Sequence, residues 1–149
     1  MRVNLIALAL LAVLFSGGVV VASHYSFFPL SEHTIAKEIS PSGMPLYRTY
    51  TFTTDDKQVA SWLLVWRDSK VHKVEWRWYW PEGRTYARTF STIPAIDGFT
   101  GMWAAPIWSC LKINGTDVAR MPGTWKVDVI VDYRKELTEY FTINSPQAC

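Results

Sequence analysis

Residues 71 to 92 carry the pattern that most restricts how this chain can fold. Tryptophan occupies every second position in the run WRWYW at 76–80, Pro-Glu-Gly follows, and the chain continues with RTYARTF at 84–90. Alternation of this period is typical of a pleated strand, not of a helix. Proline followed by Glu-Gly fits a type I turn with a left-handed glycine, which closes a three-residue hairpin loop. We therefore expect an antiparallel hairpin of Val71–Trp80 and Thr85–Thr92.

The turn also predicts which residues of the hairpin lie opposite one another. The expected cross-strand pairs are Trp80 with Arg84, Trp78 with Tyr86, Trp76 with Arg88, and Val74 with Phe90. Arginine stems would then lie across the indoles, as cation–π pairs of roughly 0.5–2 kcal/mol each. Such a ladder resembles the interleaved Trp and Arg side chains of some fibronectin type III receptor domains. We expect a half-exposed binding surface at the hairpin end, formed by Trp78, Trp80, Arg84, Tyr86 and Arg88.

Strand patterns continue through the rest of the chain after residue 45. The expected strands are Leu46–Thr54, Val59–Arg67, Ile107–Ile113, Trp125–Asp132 and Leu137–Asn144. Val59–Arg67 is apolar on both faces, which indicates a central strand. Residues 24–45 contain several prolines and are expected to be irregular, with a short helix over Ser31–Glu38 as an option. Six or seven strands without a long amphipathic helix predict an all-β, antiparallel β-sandwich.

The C-terminal run PGTWKVDVIVDYRKELTEYFTI, residues 122–143, adds a family resemblance. Its alternation puts one set of apolar side chains on a single face: Trp125, Val127, Val129 and Val131, opposite Phe141 and Ile143. The run resembles the closing hairpin of immunoglobulin-like and fibronectin type III-like domains of secreted proteins. The resemblance implies an immunoglobulin-like sandwich that serves as a binding or spacing module, although a fold alone fixes no function.

The N-terminus has the pattern of an export signal. A single positive charge at Arg2 precedes an apolar run from Leu5 to Ala22, and Val21 and Ser23 suit cleavage before His24. An uncleaved membrane anchor through residues 5–22 is the alternative, because the run approaches the ~20 residues that span a bilayer. Both interpretations place the rest of the chain outside the cytoplasm, whether secreted, periplasmic or on the outer face of the membrane. The expected organisation is a leader at 1–23, an irregular segment at 24–45 and a sandwich at 46–149.

Export also bears on covalent chemistry. In an oxidising compartment Cys110 and Cys149, the chain's two cysteines, are expected to form a disulfide. A closed loop of about 39 residues would stabilise the fold by on the order of 4 kcal/mol. A free thiol or an intermolecular bridge is the alternative. Asn114-Gly115-Thr116 is an acceptor sequence for N-glycosylation, and a tight hairpin turn accounts equally well for its first two residues.

Several functional classes have no support in the sequence. The formal net charge is +2, and the basic residues are scattered among carboxylates, so a nucleic-acid partner is not expected. Catalytic signatures such as G-x-S-x-G and H-E-x-x-H, and glycine-rich phosphate loops, do not occur. Asp55-Asp56 is interpreted as a solvated turn. We expect no enzyme activity, no cofactor and no metal.

The segment from Ile93 to Pro106 offers a second candidate surface. Phe99 and Trp103 sit among glycines and prolines, either to contact a partner or to fold over the end of the core. Trp108 begins a strand and is expected in the core. The leading functional prediction is an exported, non-catalytic module that binds an envelope protein or glycan, or packs into an envelope assembly.

A copper site is the alternative function. Cleavage before His24 would expose an amine and an imidazole that chelate Cu²⁺ together, and His33 or His72 would supply a second imidazole. This arrangement resembles copper-dependent polysaccharide monooxygenases and small periplasmic copper carriers.

Mass spectrometry of the exported protein tests the leader and the copper alternative together. Cleavage before His24 should give a mature chain that begins at that histidine. If this N-terminus is absent, or if it is present and a Cu²⁺ titration detects no tight binding, the copper hypothesis is rejected.

Overall fold

The computed structural model describes residues 30–96 and 103–146. These residues form nine strands and one short 3-10 helix, Asp117–Arg120. The strands, in chain order, are β1 (Leu30–Ile39), β2 (Pro45–Arg48), β3 (Thr51–Thr53), β4 (Gln58–Trp66), β5 (His72–Tyr79), β6 (Thr85–Ile93), β7 (Ala104–Lys112), β8 (Gly123–Val131) and β9 (Arg134–Asn144).

The strands form two sheets packed face to face. The four-stranded sheet has the order β2-β1-β4-β7, and the five-stranded sheet has the order β3-β9-β8-β5-β6. Neighbouring strands are antiparallel, except that β3 runs parallel to β9. The prediction of an all-β sandwich is confirmed, and so is the central position of β4, which pairs with β1 on one side and β7 on the other.

Aromatic side chains of the five-stranded sheet fill the middle of the core. Trp76, Trp78 and Trp125 are fully buried, and Phe141 is 2% exposed. The Phe141 ring makes edge-to-face contacts with Trp78 at 6.0 Å and with Phe52 at 5.9 Å between centroids. Burial of aromatic side chains of this size dominates the apolar free energy of a small core.

The C-terminal hairpin follows its sequence pattern. β8 and β9 pair in register from Gly123 opposite Ile143 to Val131 opposite Arg134. The predicted apolar face is buried in full: Trp125, Val127, Val129, Val131, Phe141 and Ile143. Period-two alternation located these positions because one face of each strand meets the opposite sheet.

The expectation of an irregular segment over residues 24–45 is wrong for its described part. Leu30–Ile39 is the ten-residue strand β1, and no helix forms over Ser31–Glu38. β1 pairs with the central strand β4 from Leu30 opposite Val65 to Ala36 opposite Ala60. A ladder along a central strand satisfies the backbone over this whole length, which outweighs the weak helix-start signal at Ser31.

The expected single strand Leu46–Thr54 is divided between the two sheets. β2 pairs with β1 in the four-stranded sheet, whereas β3 pairs with β9 in the five-stranded sheet. The chain changes sheet at Thr49 and Tyr50, where the Thr49 N–H donates to Ile35 O and Tyr50 O accepts from the Thr142 N–H. Alternation in sequence does not reveal such a crossing, because both short strands keep the same period.

The predicted hairpin forms, but the predicted register differs from the observed one by one residue over most of the hairpin's length. The turn is as expected: the Gly83 N–H donates to Trp80 O at 2.9 Å, and Gly83 has φ +89°. Beyond the turn, Tyr79 pairs with Thr85 while Trp78 pairs with Ala87, so Tyr86 is a bulge residue. A bulge of this kind moves every later β6 side chain to the opposite face.

Other predictions concern parts of the chain outside the described residues. The leader at 1–23, with its apolar run 5–22, lies there, as do His24, Phe99 and Cys149. Within residues 30–96 and 103–146, no helix has the length and apolar character needed to cross a membrane.

Replacement of Trp78 by alanine tests the hairpin register. Trp78 is fully buried, so Trp78→Ala should lower the free energy of unfolding by about 3–5 kcal/mol. Phe90→Ala, on the same hairpin, should change it by no more than about 0.5 kcal/mol, since Phe90 is 71% exposed. Urea denaturation measures both changes. A large loss of unfolding free energy in Phe90→Ala would support the register expected from the turn alone.

Candidate binding site

The outer surface of the five-stranded sheet carries an exposed aromatic pair. Phe90 pairs with Glu75 across β5 and β6 and points away from the core, 71% exposed. Tyr133, in the turn between β8 and β9, is 89% exposed. We call the surface around these two residues the outer-sheet site. Large aromatic side chains exposed to this degree close together are typical of contact surfaces.

A hollow lies between the two aromatic side chains. It has a volume of about 270 Å³ and is lined by Lys73, Val74, Glu75, Phe90, Ile130 and Tyr133. An adjoining hollow shares Lys73, Val74 and Phe90 and adds Ser91 and Thr92. The first volume is below the usual range for enclosed sites of drug-sized molecules, and it suits the insertion of a single apolar side chain.

The turn that presents Tyr133 is strained. Val131 pairs with Arg134, and the two residues between them both have positive φ, +47° at Asp132 and +69° at Tyr133. This is the geometry of a two-residue type I′ turn, which Asn-Gly sequences usually adopt. A left-handed tyrosine costs roughly 1–2 kcal/mol relative to an ordinary conformation. A two-residue connection between β8 and β9 requires this backbone conformation, and it leaves the Tyr133 ring exposed beside the hollow.

Asp132 fixes this turn to β5. Its Oδ1 accepts a hydrogen bond from the Lys73 N–H at 2.9 Å, and its own N–H donates to Lys73 O at 3.0 Å. Its Oδ2 lies 2.7 Å from His72 Nδ1, and Asp68 Oδ1 lies 3.0 Å from His72 Nε2. The imidazole therefore links the two carboxylates and holds the turn in place beside the hollow.

The pKa values of this group follow from the contacts. Burial alone would lower the pKa of His72, but hydrogen bonds and charge from Asp132 and Asp68 together raise it above 6.5. The hydrogen bond from His72 lowers the pKa of Asp132, and the Lys70 N–H followed by His72 lowers that of Asp68. The two carboxylates therefore stabilise the protonated form of His72 relative to the neutral form.

Charged side chains cover the rest of the outer face. Glu75 Oε1 lies 2.9 Å from Arg77 Nε and 3.2 Å from Arg88 Nε. The Lys126 ammonium lies 3.9 Å from the centroid of the Tyr79 ring and 3.6 Å from Asp128 Oδ2. Aromatic, aliphatic and charged groups therefore share one surface.

The four-stranded sheet has an aromatic outer face of its own. Trp66 is 47% exposed and Trp108 is 41% exposed, so the expectation of a core position for Trp108 is wrong. The adjacent Trp62 takes the buried position, where its Nε1 donates to Gly43 O at 2.7 Å. The loop between β1 and β2 thus covers Trp62 completely, whereas its cross-strand neighbour Trp108, which also lies beside Gly43, stays 41% exposed.

The predicted tryptophan–arginine ladder does not form. Trp78 is fully buried, Arg84 pairs with Glu82 at 3.0 Å, and Arg88 pairs with Glu75 on the opposite face of the sheet. The physical reason is the bulge at Tyr86, which sends Arg88 outward while Trp76 and Trp78 point inward.

The aromatic residues at the hairpin end pack on the core instead. Trp80 and Tyr86 are half-buried, with ring centroids 4.5 Å apart in an edge-to-face arrangement. Both also contact the buried Trp125, at 5.0 Å and 5.6 Å. Besides their exposed portions, this end of the hairpin presents the exposed ion pair of Arg84 and Glu82.

The remaining predicted positions are distributed around the molecule. Trp103 is 59% exposed, beside the undescribed residues 97–102. Asn114 is exposed in a turn in which Gly115 has φ +75°, as the Asn-Gly signal predicts. Cys110 lies on β7 opposite Ala60. Its disulfide with Cys149 and the glycosylation of Asn114 stay predictions.

A buried carboxylate that the sequence did not reveal connects the two sheets. The Glu139 side chain is 3% exposed, with Oε1 2.9 Å from His33 Nδ1 and Oε2 3.3 Å from Ser61 Oγ. Burial raises the pKa of Glu139, against the opposing effect of hydrogen bonds from His33, Ser61 and Tyr50. Burial and the charge of Glu139 likewise raise the pKa of Tyr50.

The histidine positions bear on the copper alternative. In the folded chain His33 is hydrogen-bonded to Glu139, while His72 has a carboxylate at each ring nitrogen. A metal would have to displace Asp68 or Asp132 to reach His72. Across residues 30–96 and 103–146, no three His, Cys, Asp or Glu side chains converge as metal ligands.

The outer-sheet site was missed because its signals are weak in sequence. Phe90 belongs to an alternating strand, and only the bulge decides which face it occupies. Tyr133 follows aspartate in V-D-Y-R, and this dipeptide takes the place of the usual Asn-Gly of a type I′ turn. The signal that could have identified the site is the Asp132-Tyr133 pair, two non-glycine residues at a place where the strand pattern requires a two-residue turn.

Comparison with known proteins adds a fold likeness. No family model matches the chain, and no curated protein is significantly similar in sequence. An immunoglobulin-like protein from Pseudomonas aeruginosa has TM-score 0.48 and 8% identity, over 76% of this chain and 92% of that one. The alkylpurine DNA glycosylase AlkC of Pseudomonas fluorescens, bound to DNA containing an abasic site analogue, has TM-score 0.44 and 13% identity, over 76% of this chain and 30% of that one. Likeness at this level carries no functional argument.

The His72 interactions predict a pH-dependent stability. Because its folded pKa is raised above 6.5, its contribution is fully present below that pH and is lost as the pH rises through the folded value. His72→Asn should therefore remove stability at about pH 6 and have a smaller effect at about pH 9. Urea denaturation of both proteins across this range measures the difference, and a constant difference would contradict the assignment.

Proposed function

We propose that the chain is an exported immunoglobulin-like β-sandwich that binds a protein partner at the cell envelope through the outer-sheet site. The observation that carries the proposal is Tyr133, held in a left-handed conformation and 89% exposed beside Phe90 and the hollow. The type I′ turn accounts for the conformation, whereas an exposed ring contributes little to stability, and contact with a partner is the role that we assign to it.

The composition of the outer-sheet site favours a protein over a glycan. Sugar rings bind to flat aromatic platforms, whereas protein interfaces combine aromatic anchors with arginine and aliphatic side chains. Here Phe90 and Tyr133 flank the aliphatic residue Ile130, with Arg77 and Arg88 on the same sheet face. An apolar side chain of a partner fits the hollow, and charged groups at its border provide orientation.

Site-specific photo-crosslinking in the native envelope tests the proposal. A photoreactive amino acid replaces Phe90 in one variant and Trp108, on the outer face of the four-stranded sheet, in a matched control. We expect one dominant crosslinked protein from position 90, identified by mass spectrometry, and no such product from position 108. Absence of a product at 90, or equal products at both positions, would reject the outer-sheet site.

Tyr133→Gly separates stability from binding. Glycine adopts positive φ without strain, so the variant should gain about 1 kcal/mol in free energy of unfolding. Removal of the exposed ring should at the same time abolish the crosslink from position 90. A variant that is destabilised, or that keeps full crosslinking, would show that Tyr133 serves the fold and not the partner.

A further inference from the structure

Two arginines face each other on the outer sheet and share one carboxylate. Arg77 on β5 and Arg88 on β6 are direct cross-strand partners. Both approach the same oxygen, Glu75 Oε1, through their Nε atoms, at 2.9 Å and 3.2 Å. Like charges opposite each other destabilise a sheet, and one carboxylate balances only one of them. The arrangement therefore retains an uncompensated positive charge at a fixed position.

Exposure orders these three groups from the sheet outward. The side chains are 17% exposed at Glu75, 28% at Arg77 and 52% at Arg88. Because Nε is the atom used towards Glu75, the Nη groups of Arg88 are available to an external acceptor. Glu75 is the one ion-pair partner of Arg88 in the described part of the chain. Guanidinium groups bind carboxylates through two parallel N–H bonds, which suits this geometry.

The surrounding charge has the same sign. The outward positions of the four long strands of this sheet hold five basic side chains against two carboxylates: Lys73, Arg77, Arg88, Lys126 and Lys135 against Glu75 and Asp128. Asp128 is only 4% exposed and also accepts from Thr138 Oγ1 at 2.7 Å. These two carboxylates thus lie beneath the cations, and the strand positions around Arg88 present mainly positive groups to solvent, while Asp132, 49% exposed, borders the face at Lys73.

The spacing along β6 indicates the form of a ligand. Arg88 and Phe90 lie on the same face two residues apart, which is roughly 6.6–6.8 Å in a strand. An extended peptide repeats its own side chains at the same interval. An acidic residue and an apolar residue at alternate positions would therefore reach Arg88 and the Phe90 hollow together.

We propose that Arg77 and Arg88 form an anion site for a carboxylate side chain of an extended partner peptide, whose apolar residue two positions away enters the hollow beside Phe90. The proposal rests on the function proposed above and specifies its partner as an acidic, apolar peptide segment. Ile130, the outward aliphatic side chain of the hollow, favours an aliphatic side chain over a sugar ring.

A pair of matched peptides tests the anion site. The probe is a capped, threonine-rich peptide with one aspartate and, two positions later, one leucine; the control peptide has asparagine for aspartate. The protein is the full chain purified after export, labelled with ¹⁵N-arginine and titrated by NMR. The variants are Arg88→Gln and, as a control on the same hairpin, Arg84→Gln, since Arg84 also forms an exposed ion pair with a glutamate.

The expected result has three parts. The aspartate peptide should bind about tenfold more tightly than the asparagine peptide and shift the Arg77 and Arg88 Nε resonances. Arg88→Gln should abolish this preference, while Arg84→Gln should keep it. The preference should weaken with added salt, because exposed charges are screened.

Other outcomes would overturn the proposal. Equal affinities for the two peptides, or an equal loss of the aspartate preference in both variants, would show that the attraction is non-specific. Binding to phosphatidylglycerol vesicles that depends on Arg88, without a peptide preference, would assign the face to a membrane instead. A crosslink at position 90 together with no aspartate preference rejects the anion site alone, whereas no crosslink at position 90 rejects the proposed function.

Discussion

The single-residue bulge at Tyr86 determines which side chains of β6 face the core and which face solvent. Between the turn and the bulge, β6 follows the register that Pro-Glu-Gly sets, and beyond it every side chain changes face. Trp76 and Trp78 thereby enter the interior without arginine neighbours, and Arg88 and Phe90 reach the outside together. The separation of the buried tryptophans of β5 from Arg88 and Phe90 of the outer-sheet face is therefore a result of one backbone irregularity.

A polar connection accompanies the apolar contacts between the sheets. Glu139 on β9 meets His33 on β1 and Ser61 on β4 where the two sheets face each other. Removal of one partner from a buried charged group usually costs more than the contact itself contributes, because the remaining group stays desolvated. The cluster therefore favours one alignment of the sheets, since a slip of either strand would leave the carboxylate without partners.

Much of the fold is readable in sequence because alternation reports burial directly. β4, β5, β8 and β9 were predicted within a few residues, and the buried face from Trp125 to Ile143 was identified in full. β1 was missed because its apolar residues are few and its partners lie far along the chain. The binding residues were harder still: Phe90 depends on the bulge, and Tyr133 depends on a turn type that its own sequence disfavours.

The parallel pairing of β3 with β9 has a mechanical consequence. Thr51–Thr53 and Thr142–Asn144 run in the same direction, so the N-terminal end of β3 and the C-terminal end of β9 lie at opposite ends of the pair. Tension applied between Tyr50 and Asn144 would act along the strand axes and load the hydrogen bonds between them simultaneously. An antiparallel pair pulled from adjacent ends opens one bond at a time, whereas this pair resists as a unit. A pull on the C-terminal end of β9 therefore meets a clamp at the edge of the sheet.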